Sequence, residues 1–228
     1  MAYFIASLLP LLAQVLKSSF PDEEYAYYLA LDNYILFKLL ISPIIVAALT
    51  SRVVEMEDQD DMWKVLFSVG ISYGKIFWGK FILLFLKYLL YQVLEWGAIL
   101  FLFHQKGSLE GLSSWRLIFC FFSILSIHYM YMGFHYLIAL KFSNQLINLS
   151  LSILEGLAGI IGIFLPQWLS KFLPFSWMGF LMNVHYISVG ERFMKELHSL
   201  PLFPLLGSIL LGSIFLWIGY QKPLKRGE

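Results

Sequence analysis

Leu117 to Leu140 reads LIFCFFSILSIHYMYMGFHYLIAL, a run without a single Lys, Arg, Asp or Glu. About 20 apolar residues carry an α-helix across about 30 Å of hydrocarbon, so this run is long enough to span a membrane. Only helices and closed barrels satisfy their own backbone hydrogen bonds in lipid. The alternation of a barrel strand is absent, which leaves the helix. The whole chain agrees. Of its 228 residues 59% are hydrophobic, 18% are aromatic and only 14% are charged, against about 25% charged in a soluble domain. Mean hydropathy is +0.73. This composition excludes a water-soluble enzyme. A net charge of +1 without a long Lys/Arg block gives no sign of a nucleic-acid partner, and the lone Cys120 cannot close an internal disulfide.

Outward from that run, the same reading gives spans at Ala2 to Leu16, Asn33 to Thr50, Lys80 to Phe103, Leu146 to Pro166 and Pro201 to Tyr220, six in all. The last of these is also free of charge. Ala2 to Leu16 stops at Lys17 and holds Pro10, so it crosses only by recruiting Ser18 to Phe20 or by thinning the bilayer. No basic region precedes it, as a secretory signal would require, and it is read as retained. Six spans put both termini on one side. Arg52, Lys64, Lys75, Lys80, Lys141, Lys222, Lys225 and Arg226 fall on that side, against Lys17, Lys106, Arg116, Lys171, Arg192 and Lys195 on the other. The balance of 8 to 6 favours cytoplasmic termini. No repeat or long polar linker divides the chain, so residues 1–228 form one membrane domain.

Acidic charge gathers between the second and third spans, at Glu55, Glu57, Asp58, Asp60 and Asp61. Directly after it, Met62, Val65, Leu66 and Val69 repeat at i, i+3, i+4 and i+7, one face of a helix. Asp58 or Asp60 can cap that helix, and Gly70 and Gly74 end it before Lys75 and Lys80. A short amphipathic helix at the cytoplasmic surface is expected, with Trp63 and Phe67 beside the apolar stripe. Its ordinary reading is an interfacial helix on lipid. An anionic inner leaflet repels carboxylates, which favours the alternative of a docking element for a cytoplasmic protein.

Ser51 to Lys80, SRVVEMEDQDDMWKVLFSVGISYGKIFWGK, resembles the first cytoplasmic loop of ABC type 2 permeases. Leu40 to Leu49 with Pro43, and the LPFSW stretch at Leu173 to Trp177, are similar to that family too. Within it, the nearest likeness is to the small permease subunits of lantibiotic-immunity exporters. The resemblance implies an all-α membrane protein of six transmembrane helices, with a coupling loop over about residues 51–80 and short helices dipping into the outer leaflet over about 166–200. It implies two permease subunits, identical or different, seated on two cytoplasmic ABC ATPases that bind ATP and Mg²⁺, with no cofactor in this chain. Glu55, Glu57, Asp58, Asp60, Asp61, Met62, Trp63 and Leu66 would then couple ATPase movement to the spans. The implied cargo is a cationic, amphipathic peptide expelled from the outer leaflet of the plasma membrane of a Gram-positive bacterium into the medium. Members of the family usually begin with a basic amphipathic helix, which this chain does not show before its first span.

Other chemistries find no residues. Gly70 to Ile76, GISYGKI, lacks the spacing and the hydroxyl of a phosphate-binding loop, so ATP hydrolysis falls to a partner. His128 and His135 lie seven apart on one span, about 10 Å along its axis, too far for a shared zinc. Hydrogen bonding to neighbouring helices suits them better. Glu23 and Glu24 follow Pro21 outside the hydrocarbon, and no EExxxR pattern accompanies them, which argues against an intramembrane protease.

Charges inside spans demand partners, because each costs about 2.5 to 3.5 kcal/mol at the bilayer centre. Lys87 and Glu95 share a span about 12 Å apart, with Tyr91 between them. Glu155 sits among Ser152, Gly156, Gly159 and Gly162. Two readings stand: Glu155 accepts hydrogen bonds at a helix or subunit interface, or Glu95 and Glu155 line a route for a cationic cargo. Outside, Asp22, Glu23, Glu24 and Asp32 form an acidic surface, and Trp168, Phe172, Phe175, Trp177 and Phe180 an aromatic one. These suit either ordinary loop polarity with an interfacial belt, or first contact with a membrane-inserted peptide. A drug, a lipid or another peptide as cargo, and a scaffold or sensor subunit that transports nothing, remain the alternatives.

Overall fold

A computed structural model describes residues 25–58, 62–105, 113–189 and 192–221. The expected first span, Ala2 to Leu16, lies outside these residues, as do Asp22, Glu23, Glu24, Asp60 and Asp61. The chain is helical almost throughout: α1 (Ala26–Asp58), α2 (Met62–Ser68), α3 (Tyr73–Gln105), α4 (Ser114–Lys141), α5 (Gln145–Phe164), the single turn α6 (Gln167–Ser170), a 3-10 segment (Pro174–Leu181), strands β1 (Val184–Val189) and β2 (Arg192–Leu197), and α7 (Phe203–Gln221). Five helices, α1, α3, α4, α5 and α7, are long and apolar enough to cross a membrane. The side where α1, α2 and α3 join is the loop side; the opposite one, carrying the strands, is the hairpin side.

These helices are amphipathic in the reverse of the soluble sense. On α5 the buried face is Asn148, Ser152, Glu155, Gly156, Gly159 and Gly162, while Leu146, Ile153, Leu154, Leu157 and Ile161 point outward. Lipid gives no reason to bury Leu, so inward positions go to small residues that let backbones approach and to polar groups that find partners. A Cβ added at Gly156 would lie 2.6 Å from the Leu40 carbonyl oxygen of α1, and one at Gly159 2.9 Å from that of Phe175. α7 repeats the device with Ser208, Gly212 and Gly219 buried and Leu206, Ile209, Leu210 and Trp217 exposed. Where α7 crosses α4, a Cβ on Gly133 would come 2.8 Å from the Gly212 carbonyl oxygen. α4 is the central helix and packs on α1, α3, α5 and α7.

Two boundaries depart from the sequence expectation. α1 does not end at Thr50 but continues unbroken to Asp58, so Glu55, Glu57 and Asp58 belong to its last turns. Its 33 residues measure about 50 Å at 1.5 Å each, well beyond the hydrocarbon thickness. α2 closes on Gly70, whose φ of 81° is the left-handed conformation glycine tolerates. Gly70 N–H donates to Phe67 O and Ile71 N–H to Leu66 O, the paired bonds of a Schellman C-cap. Gly74 lies instead in the first turn of α3, against the Tyr220 ring.

The second departure is at residues 166–200, where short helices give way to an antiparallel hairpin pairing Val184 with Leu197 and Val189 with Arg192. VHYISV carries Val184, Tyr186, Ile187 and Val189, the β-branched and aromatic composition of a strand, whereas RFMKEL carries only Phe193. They are too short to have registered as membrane-spanning strands.

Candidate functional site

On the loop side, Glu55 is half-buried and shares a water-sized cavity of about 10 Å³ with Ser51, Val54, Ala139, Phe142, Ser143 and Gln145. Leu66 of α2 packs on the core, but Met62, Val65 and Val69 stay exposed, so most of the apolar stripe is not buried against the described residues. The side chains of Glu57, Asp58 and Trp63 lie outside what the structure describes. Lys80 Nζ donates to Val53 O at 2.8 Å and ties the start of α3 to α1.

Deeper in, Glu95 is wholly buried and its Oε2 accepts from Lys38 Nζ of α1 at 2.5 Å and from Tyr34 Oη at 3.1 Å. Lys38 also reaches Tyr88 Oη at 3.4 Å. The Tyr88 ring stacks on His128, with centroids 4.5 Å apart, and His128 Nδ1 faces Ile124 O at 2.7 Å. Lys38 was not singled out from the sequence, although a lysine inside the apolar Asn33 to Thr50 run is the same signal that marked Glu95. Lys87, by contrast, points outward from α3.

A second cluster joins α1, α4 and α5. His135 is fully buried; its Nδ1 lies 2.7 Å from Asn148 Oδ1 and its Nε2 3.0 Å from Glu155 Oε2. Asn148 Nδ2 reaches back to α1, donating to Ser51 Oγ at 2.8 Å and Ala47 O at 3.2 Å. Glu95 and Glu155 therefore have different partners: Lys38 and Tyr34 of α1 for the one, His135 of α4 for the other. Among the described residues no group of His, Cys, Asp and Glu has the arrangement of a metal site.

On the hairpin side, Asp32 departs from the expected acidic surface. It is 3% exposed, and its carboxylate accepts from Asn183 N at 2.6 Å, Asn183 Nδ2 at 2.9 Å and Val184 N at 2.8 Å, fixing the start of β1 to α1. At the hairpin base the His185 and His198 rings stack 4.1 Å apart, and Arg116 donates to His198 O at 2.8 Å. Burial holds both imidazoles below the ordinary histidine range; for His198 the neighbouring His185 and Arg116 add to it. Trp177 is buried, its Nε1 donating to Lys171 O, whereas Trp168 and Phe172 are exposed as belt residues would be. A cavity of about 260 Å³ opens between Gly162, Gln167, Ser176, Phe180, Val184 and His185.

No curated protein and no solved structure matches the chain. The model of the ABC-2 family transporter proteins matches residues 1–164, which hold α1 to α5 and both polar clusters. With 164 of 228 residues matched and the apolar helices in place, the chain belongs to the ABC-2 transporter family, as an integral membrane permease component that works with an ABC ATPase.

Proposed function

We propose that this permease is one half of the membrane part of an ATP-driven exporter that draws a cationic, lantibiotic-like peptide out of the membrane and releases it to the medium, protecting a Gram-positive cell. The observation that carries the coupling is the loop side. α1 runs past the bilayer to an acidic end and hands over to α2, whose Met62 and Val65 are left uncovered by the described residues. Carboxylates beside unburied apolar side chains suit a protein surface better than an anionic leaflet. The ATPase is that surface, it binds the ATP and Mg²⁺, and both termini of the permease face it in the cytoplasm.

The peptide cargo is supported by the likeness of the Ser51 to Lys80 and Leu173 to Trp177 stretches to immunity permeases. Because Glu95 and Glu155 are closed within the subunit, the cargo moves along a subunit surface or between two permeases, identical or different. Cells with and without the chain, loaded with a fluorescent lantibiotic, test this by release into fresh medium. Energy-dependent release only in cells carrying the chain is the expected result. Equal release from both, with chain and ATPase present in the membrane, would remove the peptide cargo and leave the family assignment standing.

A further inference from the structure

The geometry around Asn148 points to a single-proton site: we infer that His135 and Glu155 hold one proton between them in the membrane interior, as a pair without net charge. The argument starts at the Asn148 amide. Its Nδ2 lies 3.2 Å from Ala47 O and 3.3 Å from His135 O, and 2.8 and 3.3 Å from the Ser51 and Thr50 hydroxyl oxygens. Two of these four are backbone carbonyls, which only accept, so turning the amide over would set oxygen against oxygen. The orientation is thereby fixed and Oδ1 faces His135.

Oδ1 in turn only accepts, so His135 Nδ1, at 2.7 Å, carries a hydrogen. That leaves Nε2 facing Glu155 Oε2 at 3.0 Å. With Nδ1–H settled, this contact is a hydrogen bond only if a further proton lies in it, on the imidazole or on the carboxyl. Either placement gives the same total, an imidazolium with a carboxylate or an imidazole with a carboxylic acid. A neutral imidazole beside a carboxylate would instead leave one negative charge in the bundle, which costs several kcal/mol unless balanced.

Every element around the site is consistent. α1 presents Ala47, Thr50 and Ser51, none of them charged; α4 presents Tyr131, the titratable neighbour of Glu155, whose hydroxyl donates to Phe175 O of the 3-10 segment. The carboxyl of Glu155 is therefore already balanced and is not an open anionic site for a cation. This inference stands whatever the cargo is.

Nitrogen-15 NMR of the full-length chain, labelled at histidine and held in lipid nanodiscs, tests it, with the His135 signals identified by their loss in His135→Phe. A protonated Nδ1 and an Nε2 sharing its proton at pH 7 are expected; an unprotonated Nδ1 with the hydrogen on Nε2 overturns the inference. Thermal unfolding is the second measurement. Relative to the native chain, His135→Phe loses stability as pH rises from about 4.5 to 6.5, because there the unfolded native chain still supplies the histidine proton whereas the stranded carboxyl of the variant must take its proton from solution, and His135→Phe/Glu155→Gln removes that slope. The same pH profile for His135→Phe and the native chain would also overturn it. Should His135→Phe fail to fold, Glu155→Gln keeps an amide donor toward a neutral Nε2 and must leave that nitrogen unprotonated; an unchanged His135 spectrum counts against the shared proton.

Discussion

Lys38 shows how one residue positions a whole helix. α3 turns most of its length outward, with Ile82, Leu86, Leu90 and Val93 exposed, and the buried Lys38–Glu95 pair is its strongest polar tie to α1. Removing one partner strands the other charge, which typically costs about 3 to 5 kcal/mol, whereas replacing both with apolar residues is often neutral. Lys38→Met should therefore lower the unfolding temperature of the purified subunit sharply, and Lys38→Met/Glu95→Leu should recover most of the loss. A second titration belongs to His185 and His198. Both are held below the ordinary value of 6.5 by burial. The opened hairpin then takes up protons that the closed one refuses, so closure is fully stable above about 6.5 and weakens as pH falls below it. Lower protection factors for β1 and β2 at pH 5.5 than at 7.5, with the intrinsic exchange rate at each pH divided out, are the expected outcome. That polar residues inside the spans would need partners was legible from Glu95, Glu155, His128 and His135. Which partner each finds was not, because Lys38 and Glu95 are 57 residues apart and only the packing of α1 on α3 brings them together. Asp32 misled for the same reason: its ligands, Asn183 and Val184, come from a loop whose path one sequence does not disclose.

Among the elements, the small-residue face of α5 was readable in advance, since Gly156, Gly159 and Gly162 fall on one side of Glu155. Its partners, Leu40 of α1 and Phe175 and Ser176 of the 3-10 segment, are tertiary facts. Gly156→Leu would drive a side chain into the Leu40 carbonyl and should reduce the yield of folded, inserted subunit. Leu154→Ala, at a site 61% exposed to lipid or partner, should leave that yield nearly unchanged; fluorescence size exclusion compares the two. α1 outran its expected end because hydropathy falls at Thr50 while the helix does not: Ser51 to Asp58 is polar but contains no breaker. The hairpin was not legible because its two six-residue strands are shorter than the about 9 to 11 residues of a membrane-spanning strand. Charge reversal at Asp58, Asp60 and Asp61 is expected to separate ATPase turnover from transport without affecting insertion. Unchanged transport in that variant would take the coupling role away from this loop.

At the scale of the molecule, the described bundle is closed on itself. Two pairs of buried ionisable groups, Lys38–Glu95 and His135–Glu155, are matched within it, its glycines bring α1, α5 and the 3-10 segment together, and its exposed faces are rich in Leu, Ile and Trp. A subunit built this way moves as a body more readily than it opens through its middle. On the proposed reading the energy comes from the ABC ATPase, through the loop side. Affinity purification of the intact chain from its native membrane, with mass spectrometry and an ATPase assay in the presence and absence of a lantibiotic, tests this most directly. The account predicts a copurifying ABC ATPase, a partner permease and turnover that responds to the peptide. Recovery of the chain alone, with no ATPase at any stoichiometry, would contradict it.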